Sequence, residues 1–177
     1  WRGGRGRPLL LLHGFGASAM WQWARQVRPL AQRHELIVPD LMYFGGSRSN
    51  KKEWSLEFQV EAMIQLLDEL NLSSVDVLGL SYGGLVANLL AVTHPERVRK
   101  LILVDSPGGE INWDDHQRML RRFGVDALHE FLLPDAPDGV RRLINIAWHK
   151  PPSIPGFALR DAYRVLFCSQ VEEKKAL

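Results

Sequence analysis

Three features of the sequence predict an α/β fold. Four short apolar runs occur within the first 104 residues, none of them alternates polar with apolar side chains, and helical patterns lie between them. Continuous apolar runs of this length are typical of strands that are buried on both faces of a parallel sheet. Strands that alternate with helices indicate βαβ crossovers, so we expect a parallel sheet flanked by helices.

The predicted elements follow in chain order. The strands should be Leu9–Leu12, Leu36–Val38, Val75–Leu80 and Leu101–Val104. A helix should begin after Ser55, a residue type favoured at N-caps, because an apolar stripe at helical spacing follows it. That stripe consists of Leu56, Val60, Met63, Leu67 and Leu70. A buried helix is expected over 85–92, ended by Pro95, and a weaker one over 17–32.

The chain changes character after Asp105. No convincing strand follows, and the helical patterns there are short. They are broken by Gly124, Pro134, Pro137, Pro151, Pro152 and Pro155. We therefore expect an α/β core over residues 1–109 and a helical insertion or cap over 110–177. Its large apolar residues suit either the wall of an acyl pocket or ordinary helix packing; they are Trp113, Phe131, Leu132, Trp148, Phe157 and Phe167.

Composition excludes several classes of function. The 177 residues are 46% hydrophobic, and their net charge of +2 creates no field that would attract nucleic acid or an anionic membrane. No apolar stretch approaches the roughly 20 residues of a membrane span. The single cysteine, Cys168, excludes an intramolecular disulfide, favours a reducing, cytoplasmic location, and should be a buried apolar side chain.

The N-terminal end carries two further signals. The basic, glycine-rich run Arg2–Arg7 should be a solvated, frayed end. The chain begins at Trp1 rather than Met, yet it reaches a predicted core strand within a dozen residues. We therefore expect an excerpt from a longer protein.

The strongest chemical signal is the run Gly79-Leu80-Ser81-Tyr82-Gly83-Gly84. A buried strand leads into it and a buried helix leaves it, so Ser81 should occupy a sharp strand-to-helix turn with its hydroxyl at the carboxyl edge of the sheet. Gly79 and Gly83 are needed because a Cβ there would collide with neighbouring backbone. The helix N-terminus behind Ser81 favours a developing oxyanion. This pattern is typical of a nucleophilic serine, the alternative being an incidental turn residue.

A second signal follows the first predicted strand, at His13-Gly14-Phe15-Gly16. An oxyanion hole needs two donors that converge on one point. The backbone N–H of Tyr82 could supply one donor, and the backbone N–H of Phe15 could supply the other. The alternative is a plain glycine turn.

Together these motifs resemble the α/β-hydrolase superfamily in order and spacing. The matching segments are His13–Gly16, Asp40–Ser47, the turn at Ser81, and Leu101–Gly108. The sequence is most similar to esterase and lipase-type members with a helical cap after the sixth strand. The resemblance implies that Ser81 is the nucleophile, that Phe15 and Tyr82 give the oxyanion-hole amides, and that His13 shapes the oxyanion loop. The predicted strands would be the family's third to sixth, in spatial order fourth, third, fifth, sixth.

Two departures qualify the resemblance. Met42 and Tyr43 stand where many members have Pro-Gly, which bears on the width of the pocket beside the nucleophile. The family places its triad acid and histidine after the seventh and eighth strands. The chain reaches Leu177 within the predicted cap, so we expect the triad histidine to be absent from it.

Residues within the chain offer weaker alternatives for these roles. Asp105, just after the last predicted strand, is a candidate acid; otherwise its carboxylate should fix the loop Ser106–Gly109. His34 and His94 are expected at the wrong end of the sheet. The remaining candidates for a base lie in the cap and are His116, His129 and His149.

The leading function is hydrolysis of a small apolar carboxylic ester, or a related acyl compound, through an acyl-enzyme at Ser81. A serine at this turn argues against epoxide hydrolases and haloalkane dehalogenases, which resemble this fold but carry a carboxylate there. No cofactor or metal is expected, and we expect these residues alone to lack measurable esterase turnover. The alternative is a non-catalytic hydrolase-fold protein that binds a ligand, as a receptor does. Substrate identity and oligomeric state are not predicted.

Overall fold

The computed structural model describes residues 1–16, 18–107 and 112–177. The chain forms two compact units, one of residues 1–110 with Leu177 and the other of residues 111–176. The first unit contains a mixed five-stranded sheet with flanking helices, and it confirms the expected α/β class.

The sheet has the strand order β1-β3-β2-β4-β5. Its strands are β1 (Arg2–Gly4), β2 (Arg7–Leu12), β3 (His34–Ile37), β4 (Val75–Leu80) and β5 (Val98–Val104). Strands β3, β2, β4 and β5 are parallel, in the spatial order expected from the family resemblance. Parallel strands end at the same edge, so the loops after β2, β3, β4 and β5 all leave from the carboxyl edge of the sheet.

Three helices pack with this sheet, α1 (Ala19–Leu30), α2 (Leu56–Glu69) and α3 (Tyr82–Thr93), and a short 3-10 helix over Pro95–Arg97 precedes β5. The α2 helix begins as its sequence indicates, because the Ser55 side chain accepts a hydrogen bond from Phe58 N–H. The largest core cluster contains apolar residues of α2, α3 and the central strands, among them Leu10, Val77, Leu67 and Val86. A second cluster around Trp23 includes α1 and Leu11.

The N-terminal run is ordered rather than frayed. Strand β1 pairs antiparallel with β3, and Val38 N–H donates to the Trp1 carbonyl at 2.8 Å. The glycines in this run permit a tight turn: Gly4 has φ +92°, and a Cβ on it would collide with the His34 carbonyl oxygen. Glycines that suggest disorder in the sequence therefore allow backbone to approach backbone.

Strand β5 departs from the prediction that every apolar run is buried on both faces. Ile102 is 45% exposed and Leu103 is 36% exposed. The physical reason is position, because β5 is the last strand in the described sheet and pairs only with β4.

The second unit is helical throughout its described residues. Its helices are α4 (Trp113–Phe123), α5 (Leu128–Leu132), α6 (Pro137–Ala147), α7 (Gly156–Leu166) and α8 (Val171–Ala176). Gly124 ends α4 in the left-handed conformation at φ +66°. Cys168 is exposed and not buried as expected, because in the connection after α7 it is the neighbouring Phe167 that packs into the core of this unit. Residues 110 and 111, at the start of the expected helical segment, lie outside the described residues.

Candidate active site

Ser81 forms the junction between β4 and α3 and is half-buried. Its backbone has φ +52° and ψ −118°, a conformation that costs a non-glycine residue about 1–3 kcal/mol. The surrounding structure imposes it. Ser81 N–H donates to the Val104 carbonyl of β5 at 3.0 Å, and the Ser81 carbonyl accepts from Gly84 N–H at 2.9 Å.

The glycines beside Ser81 are required by close packing. A Cβ at Gly83 would overlap the carbonyl oxygens of Leu12 and His13, and a Cβ at Gly79 would overlap the Gly83 carbonyl and lie 2.7 Å from Gly84 Cα. Backbone atoms cannot move aside cheaply, so α3 can begin this close to β2 only with these glycines.

His13 is fully buried, and both of its ring nitrogens are used. Nδ1 lies 2.8 Å from the Gly14 carbonyl oxygen, and Nε2 accepts from Leu41 N–H at 3.0 Å. A carbonyl only accepts and an N–H only donates, which places the proton on Nδ1. Burial lowers the pKa of His13, while the Gly14 carbonyl and the Asp40 charge oppose that shift. His13 is therefore a neutral structural group with no nitrogen left to act as a base.

The hydrogen bond from His13 orients the peptide group that joins Gly14 to Phe15. That peptide is trans, so its N–H points away from its C=O. Within the described residues, neither Phe15 N–H nor Tyr82 N–H finds an acceptor. The Gly14 backbone lies beside the serine, because a Cβ on Gly14 would be 3.3 Å from Ser81 Cβ. Two unpaired amides therefore occur in segments that lie next to Ser81.

A cluster of aromatic rings joins these two segments. The Phe15 and Tyr82 rings meet edge to face at 5.6 Å between centroids. The buried Phe44 ring lies 5.2 Å from Phe15, 5.3 Å from His13 and 6.0 Å from Tyr82. Burial raises the pKa of the Tyr82 phenol, and the nearby Gln59 side chain opposes the shift without cancelling it.

The loop after β3 supplies anchors that sequence reasoning missed. One Asp40 carboxylate oxygen accepts from Ala19 N–H at 2.7 Å, and the other accepts from Gly46 N–H at 2.8 Å. The buried Gln59 carboxamide accepts from Met42 N–H and donates to the Met42 carbonyl. An aspartate just before a glycine-containing turn was the available signal for the first anchor, since such carboxylates commonly accept turn amides.

Tyr43 occupies the position where many family members have glycine. It has φ +72° yet is buried, and its hydroxyl lies 2.8 Å from the carbonyl oxygens of both Lys51 and Glu53. Its ring lies 6.1 Å from Phe58. These contacts place the Tyr43 side chain against residues 51–58.

Asp105 directly follows Val104, whose carbonyl accepts Ser81 N–H, but no hydrogen bond joins the side chain of Asp105, His34 or His94 to Ser81 within the described residues. Asp105 has φ +45°, is exposed, and makes no side-chain hydrogen bond within the described residues. Gly108 and Gly109, which it was expected to fix, lie outside them. His34 begins β3 at the amino end of the sheet, and His94 caps the far end of α3 from Ser81.

The large apolar cap residues, which suit either an acyl-pocket wall or helix packing, have different environments within their own unit. Phe167 is buried with Leu159 and Leu166, and Phe131 stacks on Phe123 at 4.3 Å. Trp113, Trp148 and Phe157 are exposed there. His116 stacks on Trp113, while His129 lies in α5 and His149 follows α6.

Two further kinds of site are absent from the part of the chain that the structure describes. No described helix is both long and apolar enough to cross a membrane. No cluster of three or more histidine, cysteine or acidic side chains in the described ranges could hold a metal ion.

Comparison with known proteins identifies the class. A family model described as the alpha/beta hydrolase fold matches residues 7–152, and the chain therefore belongs to the α/β-hydrolase family. It is 37% identical over 108 residues to a 2-hydroxymuconate semialdehyde hydrolase of Pseudomonas sp. strain CF600, a match covering 59% of this chain and 38% of that protein. It is 41% identical over 106 residues to a pimeloyl-[acyl-carrier protein] methyl ester esterase of Aeromonas hydrophila, covering 59% and 40%.

A solved structure extends the likeness over all of this chain. A mutant of CumD, a meta-cleavage product hydrolase from Pseudomonas fluorescens IP01, superposes with a TM-score of 0.82 at 22% identity. The superposition covers 100% of this chain and 63% of that one. At this identity the likeness concerns the fold alone. The chain spans about two-fifths of the length of the two relatives above.

Proposed function

We propose that the protein containing this chain is a serine hydrolase that cleaves carboxylic esters or related acyl compounds through an acyl-enzyme at Ser81. The observation that carries the proposal is the strained Ser81 turn beside two backbone amides, Phe15 N–H and Tyr82 N–H, that lack acceptors within the described residues. One relative of this chain is a methyl ester esterase. A small apolar ester is the substrate class we favour.

The proposed reaction has two steps. The Ser81 hydroxyl oxygen forms a bond to the acyl carbon, its proton passes through a base to the leaving alcohol, and the C–O bond to that alcohol breaks. Phe15 N–H and Tyr82 N–H hold the negative charge that develops on the carbonyl oxygen. Water then attacks the acyl-enzyme and releases the acid.

The base that accepts the Ser81 proton is not expected among the histidines of the α/β unit. His13 has both ring nitrogens engaged, and α3, whose 12 residues extend about 18 Å, separates His94 from Ser81. We propose that the triad histidine and acid lie beyond these 177 residues, with Asp105 as an alternative acid. A cytoplasmic location remains part of the proposal and is favoured by the single cysteine.

A fluorophosphonate probe tests the assignment of Ser81 in the complete protein. The wild type should be labelled and should hydrolyse short p-nitrophenyl esters, and Ser81→Ala should lose both. Ser106→Ala is the matched control, because Ser106 also follows a strand of the same sheet and its hydroxyl is buried. Labelling that persists in Ser81→Ala would contradict the assignment. A folded wild type that binds ligand without labelling or turnover would support the non-catalytic alternative.

A further inference from the structure

We propose that Gln22 is a positioning residue for the oxyanion loop, defined as residues His13–Gly16. Its side-chain carbonyl accepts a hydrogen bond from Gly14 N–H. Phe15 N–H is thereby left as the amide of the loop that donates to the oxyanion. This inference rests on the proposed function, and it adds a residue of α1 that touches neither the nucleophile nor the proposed oxyanion donors in any described hydrogen bond.

The contact is unambiguous in its chemistry. Gly14 N–H lies 2.9 Å from the Gln22 side-chain oxygen, across eight residues of sequence. A backbone N–H only donates, so the group that faces it is the carbonyl end of the carboxamide rather than the NH₂ end. Gly14 N–H is therefore occupied and is not available to bind an oxyanion.

Both polar groups of the Gly14 backbone are thus held by side chains. Gln22 holds the N–H, and His13 holds the C=O through Nδ1–H. Each peptide group is planar, so these two bonds fix the planes on both sides of the Gly14 Cα. The second plane carries Phe15 N–H, and its direction is set by the same pair of anchors.

Such anchoring is needed because residue 14 is glycine. A Cβ there would lie 3.1 Å from Leu80 Cδ2 and 3.3 Å from Ser81 Cβ, which is tighter than ordinary packing. Glycine solves the packing but leaves the backbone free to adopt other conformations. Side-chain hydrogen bonds supply the restraint that a Cβ would otherwise give.

The Gln22 end of the contact is itself well fixed. Ala19 N–H, at the start of α1, donates to Asp40, and Gln22 N–H donates to the Ser18 carbonyl at 3.1 Å. The adjacent Trp23 is buried in the second core cluster. The loop is therefore tied to a helix whose first turn is anchored to the segment that follows β3.

Two substitutions of Gln22 in the complete protein separate the effect of the hydrogen-bond acceptor from the effect of side-chain shape. Gln22→Met keeps the length of the side chain but removes the acceptor, and it should lower kcat about 10- to 100-fold with KM within about threefold, since a misplaced donor acts on the transition state. Gln22→Glu keeps an oxygen for Gly14 N–H but adds a negative charge near the oxyanion. Its kcat relative to wild type should rise as the pH falls and the new carboxylate is protonated. Gln26→Met, on the exposed face of the same helix, is the matched control and should change kcat less than about twofold.

Amide hydrogen exchange measures the restraint without relying on turnover. Gly14 N–H should exchange at least about tenfold faster in Gln22→Met than in wild type and Gln26→Met, and at a near wild-type rate in Gln22→Glu, because an acceptor persists there. If Gln22→Met folds poorly, the pH dependence of Gln22→Glu still tests the placement of the side chain.

The outcomes distinguish the two proposals. A wild type without Ser81-dependent turnover contradicts the proposed function, and the exchange experiment then decides on Gln22 alone. Ser81-dependent turnover with Gln22→Met equal to Gln26→Met in both kcat and Gly14 exchange overturns the role of Gln22. A fall in thermal stability in Gln22→Met with unchanged kcat also overturns it, because that result assigns the residue to the fold only.

Discussion

The two units of this chain are held in shape by contacts of different range. In the α/β unit, every ion pair within the described residues joins positions far apart in sequence, as Asp68 with Arg97 or Asp76 with Arg99. In the second unit, every ion pair within the described residues joins positions three apart, as Asp115 with Arg118 and Asp161 with Arg164. Local exposed pairs are worth only about 0.3–0.5 kcal/mol each. The geometry at Ser81 is therefore a product of long-range assembly, whereas the helices depend on their own propensities and a small core.

The same substitution should have opposite effects in the two units. Gly83→Ala should destabilise the α/β unit by about 3 kcal/mol or more, because its Cβ would overlap two backbone carbonyl oxygens. Gly156→Ala at the start of α7 should stabilise the second unit by about 0.5 kcal/mol, because its Cβ would meet only the Arg160 side chain at 3.6 Å. Urea unfolding of both variants measures the pair. Equal effects would contradict the difference in packing between the units.

Acid should weaken the α/β unit through His13. Because the pKa of His13 in the folded state lies below its ordinary value of 6.5, the unfolded chain binds more protons than the folded one below that pH. Stability from this residue is thus full above about pH 6.5 and falls below it by up to about 1.4 kcal/mol per pH unit. His13→Asn, which keeps a donor near Nδ1, should flatten the dependence between about pH 5 and pH 6.5. His149→Asn, an exposed histidine of the second unit, is the control, and equal slopes in wild type and His13→Asn would refute the assignment.

Removing the hydroxyl from each of two tyrosines in the α/β unit should give the smallest difference in stability. Tyr43→Phe should cost about 1 kcal/mol, because it deprives the Lys51 and Glu53 carbonyls of a donor. Tyr82→Phe should be neutral or slightly stabilising, because the buried Tyr82 hydroxyl makes no hydrogen bond of good geometry within the described residues, and the nearby Gln59 carboxamide keeps its two bonds to Met42 without it. It should also preserve activity, since the proposed role belongs to the backbone. Thermal unfolding measures both variants, and a larger loss in Tyr82→Phe would reverse the interpretation.

The sequence predicts most of the sheet because buried strands are visible in it as continuous apolar runs. The run Val75–Leu80 coincides with β4, and Ser55 caps α2 as its residue type indicates. Family membership also follows from the motifs. Strand β1 could not be predicted, because it forms only through its pairing with β3. A polar, glycine-rich strand carries no apolar pattern of its own.

The residues of the candidate site likewise fall into those that belong to local motifs and those whose role depends on the folded structure. Ser81, Phe15 and Tyr82 belong to local motifs, so their proposed roles can be stated from the sequence. The role of Gln22 could not be, because a glutamine in an amphipathic helix looks like an ordinary surface residue until the fold brings Gly14 to it. The role of Tyr43 was equally hidden, since a tyrosine at positive φ contradicts local preference and is stabilised only by distant carbonyls.

The turn at Ser81 also has a consequence for the order of folding. Its dihedral angles are imposed by a hydrogen bond to Val104 of β5 and by the fit of Gly83 against Leu12 of β2, so three strands must be in place before the turn can close. Contacts between positions as distant as 12 and 83 form slowly, because a long segment of chain must be closed first. We therefore expect the strained turn to form after the folding transition state. A substitution that affects this turn alone should leave the folding rate nearly unchanged and accelerate unfolding, so that the chemistry of the site is the last feature acquired and the first one lost.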